Sequence, residues 1–287
     1  MISRKFLIAL DMKKVILISG GSSGIGMQAA RLLAGKGHRV YAAARRLDRL
    51  EPLREDGIVP LRLDVTDEES ARSCVQSVLD AEGRIDVLVN NAGYGSLGPV
   101  ECVSMEEARR QMDTNLFGAA LLSKLVIPHM REQGSGRIIN ISSVAGRAPV
   151  LYGGWYNVSK YAIEALSDTM RIDLRGFGID VVTVEPGGIK TPWGGIAADN
   201  LEACTADSVY EPTARREAAL LRKGYGGNFL ASPEVVARAI SRAALSRRPR
   251  VRYHPGSGAT AMIVSHSLLP ARWWDSIIRL MGRIGKK

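Results

Sequence analysis

The amino-acid sequence predicts an α/β protein with one doubly wound parallel sheet of about seven strands and helices on both faces. Two observations predict this class. Short apolar runs rich in β-branched residues alternate along the chain with segments of helical periodicity. A glycine-rich turn joins the first run to the first helix, within a strand–turn–helix–strand unit of about 30 residues. The 287 residues contain no internal repeat or low-complexity linker, which favours a single domain over residues 1–287.

The predicted strands and helices follow one another in a regular order. Strands are predicted at residues 15–19, 40–44, 59–63, 87–90, 137–142, 180–185 and 250–253. Helices are predicted at residues 27–36, 68–82, 104–130, 156–175 and 233–246, the last with a proline in its first turn. An irregular insert is expected at residues 192–231, and a C-terminal extension covers residues 254–287.

The composition excludes several classes of protein. Apolar residues make up 46% of the chain and charged residues 24%, which is ordinary for a globular domain and argues against disorder. No apolar run approaches the ~20 residues that cross a bilayer. The three cysteines form no CxxC pair and the four histidines are isolated in the sequence. We therefore expect no disulfide framework, no bound metal and a cytoplasmic location.

The net charge of +10 is concentrated near the C-terminus. From Arg242 onwards there are ten Lys or Arg residues and one acid, Asp275, so the rest of the chain is nearly neutral. This distribution argues against nucleic acid as a partner and indicates a local role. Residues 268–287 are predicted to form a basic amphipathic helix that lies on an anionic membrane surface, on its own domain or on a partner subunit. Its apolar stripe comprises Trp273, Trp274, Ile277, Ile278, Met281 and Ile284.

The first glycine-rich turn, at residues 20–26, follows a strand and opens a helix. Glycines permit a tight turn and close approach of the backbone to a pyrophosphate, whose charge is stabilised by free N–H groups at a helix N-terminus. The spacing Gly20-x3-Gly24-x-Gly26 differs from the common GxGxxG pattern. The turn alone therefore leaves two interpretations open, a dinucleotide site and a βα loop without a ligand.

Tyr156 and Lys160 lie four residues apart in a predicted helix and therefore share one face of it. An ammonium beside a phenol favours the phenolate, and we expect it to lower the phenol pKa from its reference value of about 10. The pair is thereby suited to general acid–base catalysis near neutral pH. A solvated surface pair is the alternative that the spacing alone leaves open.

Six landmarks of the chain resemble, in the same order, those of the short-chain dehydrogenase/reductase family. Ser19 stands where that family usually has threonine in its TGxxxGxG turn. The resemblance implies a Rossmann fold and hydride transfer between a nicotinamide cofactor and a carbonyl or alcohol. The long insert and the Leu-Pro…Trp-Trp tail resemble the hydroxysteroid and retinol dehydrogenase branch. The landmarks are the turn at 19–26, the NNAG motif at 90–93, Asn115, Ser142 with Ser143, the YxxxK motif at 156–160, and Pro186-Gly187 followed by Thr191.

The resemblance implies a role for each residue of the site. Tyr156 is the proton donor or acceptor, and Ser143, thirteen residues before it, orients the substrate oxygen, with Ser142 as its structural neighbour. Lys160 holds the cofactor ribose and tunes Tyr156. Asn115 holds a water for proton relay; the alternative is a helix asparagine that bonds the backbone. The implied cofactor-binding residues are Gly20, Ser22, Ser23, Gly24, Ile25, Gly26, Arg45, Arg46, Asp64, Val65, Asn91, Ala92, Gly93, Tyr156, Lys160, Pro186, Gly187, Ile189 and Thr191.

The end of the second strand predicts which cofactor is used. Enzymes that use NAD have an acid there that bonds the ribose 2′-hydroxyl, whereas an arginine accepts the 2′-phosphate of NADP. Here Ala44 occupies the expected position of the acid, and Arg45 and Arg46 follow it. We therefore predict NADP(H), with Arg45 as the first candidate for the 2′-phosphate. Ser23 is a departure from this pattern, because many NADP enzymes of the family have a basic residue there.

The last third of the chain indicates the substrate class. In the family the segment after the PG motif forms a mobile substrate lid, here residues 192–231, and its apolar and aromatic residues suit a lipophilic carbonyl or alcohol, such as a steroid or retinoid. A reductase of 3-oxoacyl thioesters and a non-catalytic NADP-binding module are the alternatives. The resemblance also implies a homo-oligomer, dimer or tetramer, formed through the helices at 104–130 and 156–175. The candidate substrate-binding residues are Tyr94, Ser143, Leu151, Tyr152 and Trp193.

Overall fold

The computed structural model describes residues 13–227 and 230–281. The strands of this part of the chain form one sheet in the order β3-β2-β1-β4-β5-β6-β7, and all neighbouring strands are parallel. This order confirms the doubly wound α/β sheet predicted from the sequence. The strands are β1 (Val15–Ser19), β2 (Arg39–Ala44), β3 (Val59–Arg62), β4 (Val87–Asn90), β5 (Gly136–Ile141), β6 (Ile179–Val184) and β7 (Arg252–Tyr253).

Helices cover both faces of the sheet. They are α1 (Gly24–Ala34), α2 (Glu68–Glu82), α3 (Met105–Met112), α4 (Gly118–Glu132), α5 (Gly154–Leu174), α6 (Trp193–Thr205), α7 (Glu211–Gly226), α8 (Pro233–Leu245), α9 (Ala259–Leu268) and α10 (Ala271–Met281). Helices α1 and α8 contribute to the core on one face, and α2, α4 and α5 contribute to the core on the other. A π-helical turn, Asp113–Phe117, joins α3 to α4, so the two continue as the one long helix predicted at this place.

Strand β1 explains why the apolar runs are continuous rather than alternating. Ile16 and Ile18 belong to the core under α1 and α8, whereas Val15 and Leu17 belong to the core on the opposite face. All five residues of the strand are buried. Full burial of a Leu or Ile side chain stabilises a fold by ~1.5–3 kcal/mol. A strand covered on both faces therefore favours apolar residues at successive positions.

The segment predicted as an irregular insert is mostly helical, so that expectation was wrong. Helices α6 and α7 pack against each other through small buried side chains, among them Ala197, Ala198, Ala214 and Ala218. Small residues let the two helix axes come close. The glycines of this segment lie in the first turn of α6 and near the end of α7, where they do not interrupt a helix.

The C-terminal extension contains two helices instead of the single predicted one. The break falls at Leu269 and Pro270, because a proline has no backbone N–H to continue a helical ladder. Residues 282–287, including Ile284 of the predicted stripe, lie outside the described residues. No helix that the structure describes is both long enough and apolar enough to span a bilayer.

The strand order creates a crevice at the carboxyl edge of the sheet between β1 and β4. The chain runs outward from β1 to β3 and then crosses back to β4, so the connections after β1 and β4 leave in opposite directions. Ligands of open α/β sheets bind at such a switch point. A buried amide chain fixes the neighbouring elements: Asn90 donates to Asn140 at 2.8 Å, and Asn140 donates to Ser167 on α5 at 2.8 Å.

A buried charge cluster connects α5 to the last two strands. Glu164 lies on α5 and Glu185 directly after β6, and both carboxyl groups are buried. Arg252 on β7 reaches both of them, with Nε at 3.4 Å from Glu164 Oε2 and at 3.0 Å from Glu185 Oε1. Arg147 Nη1 lies 3.8 Å from Glu185 Oε1, and His254 Nε2 lies 3.2 Å from Glu185 Oε2. The cluster thus holds the helix that carries Tyr156 and Lys160 against the edge of the sheet.

Burial disfavours the charged forms of both acids in this cluster. It raises the pKa of the Glu164 carboxyl to about 7, with a further rise from the nearby Glu185 and opposing effects of Ser142 and Arg252. Burial likewise raises the pKa of Glu185, against the effect of Arg147 and Arg252. Because the folded pKa of Glu164 lies above its ordinary value of 4.5, the folded state keeps a proton that the unfolded chain releases.

We predict that Glu164 contributes a fall in the free energy of unfolding as the pH rises from about 4.5 to about 7, the window between its unfolded and folded pKa values. The substitution Glu164→Gln removes the titrating group, so the fall is expected to become smaller. Urea unfolding at several pH values measures this. Glu55→Gln, at an exposed carboxyl, is the matched control and is expected to keep the parent slope. An unchanged slope in Glu164→Gln would contradict the assignment.

Candidate active site

A cleft with a volume of about 340 Å³ opens at the carboxyl edge of the sheet. It is lined by the segments that follow β1, β4, β5 and β6 and by the first turns of α5 and α6. Most residues predicted for the site line this cleft. They are Gly20, Ser23, Gly24, Ile25, Asn91, Ala92, Gly93, Tyr94, Ser143, Tyr156, Lys160, Pro186, Gly187, Ile189, Thr191 and Trp193. Those that do not line it are Ser22, Gly26, Arg45, Arg46, Asp64, Val65, Asn115, Leu151 and Tyr152.

The glycine turn is locked to the NNAG segment. The amide of Asn91 donates to the carbonyl oxygens of Ser19 and Gly20, each at 3.0 Å. The Ser19 hydroxyl accepts from the backbone N–H groups of Asn91 and Ala92, both at 3.1 Å. A serine hydroxyl therefore makes these bonds at the position where the family usually has threonine. A Cβ on Gly26 would lie 2.5 Å from the Gly20 oxygen, so this close approach requires glycine.

The start of α1 provides hydrogen-bond donors for an anion. The first N–H groups of a helix lack acceptors within the helix. Here Ser23 at the N-cap makes no side-chain capping bond, and no acid lies in the first turn. Gly24, with φ +54°, keeps the approach free of a side chain. The turn and the helix N-terminus therefore fit a dinucleotide pyrophosphate, and the prediction of helix start at residue 27 was three residues late.

Tyr156 lies buried in the first turn of α5, at the floor of the cleft. Burial raises the pKa of its phenol to about 12, and a hydrogen bond with Ser143 opposes the rise. The neighbouring Ser142 lies beside Glu164 instead. The structure thus places Ser143, rather than Ser142, beside the Tyr156 side chain.

The expectation that Lys160 lowers the pKa of Tyr156 is not met in this structure. The Lys160 Nζ donates to the backbone carbonyl of Ile141 at 2.9 Å and lies 5.9 Å from the centroid of the Tyr156 ring. At that separation the burial of the phenol decides the direction of its shift. Burial also lowers the pKa of Lys160 to about 8, and Glu164 one turn later opposes this.

Asn115 lies buried in the π-helical turn between α3 and α4. Its Oδ1 accepts from the Tyr94 backbone N–H at 3.0 Å, and its Nδ2 donates to the Tyr94 carbonyl at 2.9 Å and to the Ser159 hydroxyl at 3.0 Å. The Asn115 side chain therefore bonds the backbone, as in the alternative to the proton-relay role. It fixes the segment after β4 against α5, and its role in proton relay stays a prediction.

Four of the predicted cofactor-binding residues lie outside the cleft lining, after β2 and β3. Arg45 and Arg46 are exposed directly after β2, and neither makes a hydrogen bond or ion pair within the described part of the chain. Asp64 accepts from Thr66 N and Oγ1 at 3.0 Å and 2.8 Å. Val65 packs so closely on the first turn of α4 that a Cβ on Gly118 would lie 2.7 Å from it.

Aromatic side chains form the outer wall of the cleft. The Trp193 ring lies 5.3 Å from that of Tyr156 and 5.5 Å from that of Tyr225. Tyr225 was missed by the sequence analysis, because it lies at the end of α7 within the segment expected to be irregular. Tyr152, predicted to bind substrate, has φ +54°, and its hydroxyl pairs with Thr213 on α7 at 2.6 Å. It therefore positions α7.

Comparisons with known proteins agree with this geometry. Residues 14–200 match the family profile described as short chain dehydrogenase. The chain is 32% identical over 267 residues to a probable short-chain type dehydrogenase/reductase, VdlC, of Helicobacter pylori, covering 92% of this chain and 96% of that protein. It is 41% identical over 179 residues to a 3-ketodihydrosphingosine reductase of Bacteroides thetaiotaomicron, covering 62% of this chain and 65% of the relative.

The chain is also similar to a solved structure over nearly its whole length. A short-chain dehydrogenase from Streptomyces avermitilis superimposes with a TM-score of 0.77 at 30% identity, and the alignment covers 94% of this chain and 99% of the other. The similarity therefore extends over nearly the whole chain, in both sequence and fold. The chain belongs to the short-chain dehydrogenase family.

Proposed function

We propose that this oxidoreductase interconverts a carbonyl and a primary or secondary alcohol on a lipophilic substrate, with NADP(H) as its cofactor. The observation that carries the proposal is that Tyr156 and Ser143 line the same cleft, next to an aromatic wall. The glycine turn and the N-terminus of α1 bound the same cleft. When bound there, a nicotinamide cofactor supplies or accepts the hydride.

The proton chemistry follows from the burial of Tyr156. A phenol with a raised pKa is protonated at neutral pH, so its hydroxyl can donate a proton to a substrate oxygen during reduction. The Ser143 hydroxyl is close enough to Tyr156 to hydrogen-bond the same oxygen as negative charge develops on it. Lys160 places a buried positive charge behind the phenol, which stabilises the phenolate left after the proton has moved.

The preference for NADP(H) is supported by the charges at the end of β2. Arg45 and Arg46 are exposed beside the turn, and neither makes an ion pair within the described ranges that would compete for a phosphate. The buried Ala44 precedes them, so no carboxylate is present at this place to bond a ribose 2′-hydroxyl. Guanidinium groups bind phosphate through charge-assisted hydrogen bonds.

The lipophilic substrate is supported by the wall of the cleft. Val150, Trp193, Ile196 and Tyr225 line it, and the Trp193 ring makes tilted contacts with the rings of Tyr156 and Tyr225. A pocket with mainly apolar walls and a few placed polar groups suits an apolar molecule that carries one carbonyl. The name of the Bacteroides relative gives a sphingoid ketone as its substrate, which is a molecule of this class.

We also propose a homo-oligomer that associates through α3, α4 and α5. Exposed apolar side chains lie on α3, on α5 and on the turn between α3 and α4, where a partner subunit would cover them. They are Met105, Phe117, Val158, Tyr161 and Ile172. Light scattering on the purified chain is expected to give a dimer or tetramer mass, and the mass of a single chain would contradict this proposal.

Tyr156→Phe is predicted to reduce the rate of NADPH-dependent ketone reduction by roughly 10²–10⁴-fold, because it removes the proton donor. The assay panel comprises a ketosteroid, a retinaldehyde, a sphingoid ketone and a 3-oxoacyl thioester. Tyr161→Phe, on an exposed turn of the same helix, is the control and is expected to keep the parent rate. Turnover confined to the thioester would instead favour a 3-oxoacyl reductase. NADPH binding without turnover of any substrate would favour a non-catalytic module.

Arg45→Ala is predicted to weaken NADPH binding by roughly 10–100-fold and to leave NADH binding nearly unchanged, since the variant loses a charge-assisted bond to the 2′-phosphate. Fluorescence titration with both cofactors measures this difference. Arg109→Ala, at an exposed arginine on α3, removes the same charge away from the cleft and serves as the control. Tighter binding of NADH than of NADPH by the parent protein would contradict the cofactor assignment.

A further inference from the structure

Within the described residues, the C-terminal helical pair, α9 and α10, contacts the domain through one face. Ala259 and Ile263 of α9 pack against Val144. In α10, Trp274 is 5% exposed, and its Nε1 donates to the Pro149 carbonyl at 3.1 Å. The Trp274 ring also meets the edge of His266 on α9, with 5.0 Å between the ring centroids. These contacts fix the orientation of both helices.

A second face of the helical pair is apolar and uncovered. On α10, Trp273, Ile277 and Leu280 recur at the spacing of one helical stripe, and Trp273 and Leu280 are 66% and 79% exposed. On α9, Leu268 is 77% exposed and Val264 precedes it by one turn. Single exposed apolar residues are common in proteins, whereas a run of them on adjoining helices indicates a contact surface.

Positive charge accompanies this apolar stripe. Arg272 and Arg279 are exposed beside it, each one residue before a member of the stripe, and neither makes an ion pair within residues 13–227 and 230–281. Asp275 is the only acid of the sequence from Arg242 onwards. Three further Lys or Arg residues follow in the sequence after residue 281. An apolar stripe flanked by cations matches the two requirements of binding to an anionic lipid surface.

We propose that the C-terminal helical pair is a docking surface for an anionic lipid bilayer. With 11 residues α10 is roughly 16 Å long, so it lies along the interface, where its apolar stripe enters the boundary between headgroups and acyl chains. A second copy of the chain fits this surface less well, because a two-fold axis would bring the same arginines of both copies together. The bilayer instead supplies the opposite charge.

The position of the helical pair connects lipid docking to the cleft. Val144, on which α9 packs, lines the cleft. Pro149, which accepts the Trp274 bond, is followed by Val150, another lining residue. A docked protein therefore holds this wall of its cleft one layer of helices away from the lipid surface, in which lipophilic molecules concentrate. The docking itself does not depend on the reaction that the cleft performs.

Co-sedimentation of the full chain with vesicles tests the proposal. Vesicles of equal parts phosphatidylglycerol and phosphatidylcholine are compared with vesicles of phosphatidylcholine alone. The parent is expected to bind the anionic vesicles and to dissociate in high salt. Arg272→Glu with Arg279→Glu, and separately Trp273→Ser with Leu280→Ser, are expected to lower partitioning by roughly tenfold or more. All four positions are exposed, so the thermal unfolding of these variants is expected to match the parent.

Matched control variants distinguish docking at this surface from non-specific adsorption to vesicles. Arg49→Glu with Arg62→Glu makes the same charge change near the opposite edge of the sheet, and Val100→Ser with Val209→Ser removes two other exposed apolar side chains. Both controls are expected to bind vesicles as the parent does. No binding by the parent, or equal losses in the controls, would overturn the proposal. Two results together would assign the surface to a second copy of the chain. The parent would fail to bind vesicles, and it would form a dimer that the Trp273→Ser with Leu280→Ser variant dissociates.

Discussion

The burial of the Lys160 ammonium is the constraint on which the site depends. A buried cation is costly unless hydrogen bonds compensate for the lost water. The bond from Lys160 Nζ to the Ile141 carbonyl provides such compensation, and it ties α5 to the carboxyl end of β5. Tyr156 lies one turn before Lys160 and is thereby held over the edge of the sheet, next to the serine that follows β5.

Burial also sets the protonation states of the site. It moves the pKa of Tyr156 upward to about 12 and that of Lys160 downward to about 8, so both groups are mainly protonated at neutral pH. The phenol therefore carries the proton that a substrate oxygen needs during reduction, and the nearby cation stabilises the phenolate that forms after transfer. Behind Lys160, the Glu164 carboxyl is also shifted toward its protonated form. The buried face of α5 therefore favours the protonated forms of Tyr156 and Glu164 at neutral pH.

Much of the fold and the site could be predicted from the sequence, because their signals are local. The apolar run Val15–Ser19 predicts a buried strand. The glycine turn predicts a backbone that approaches its neighbours too closely for a side chain. The direction of the Tyr156 pKa shift could not be predicted, because it depends on burial by distant segments. Tyr225 and the helical structure of residues 193–226 were missed for the same reason, since only packing between α6 and α7 reveals them.

The central claim is that burial keeps Tyr156 protonated until the protein is engaged in its reaction. Titration of tyrosine labelled with ¹³C at the ring Cζ, followed by NMR, tests this directly. The Tyr156 signal is identified by its absence in Tyr156→Phe. We predict that it stays that of a neutral phenol beyond the ordinary pKa of 10.0. A phenolate signal that develops near neutral pH would contradict the account and would show that Lys160, rather than burial, sets the charge of the phenol.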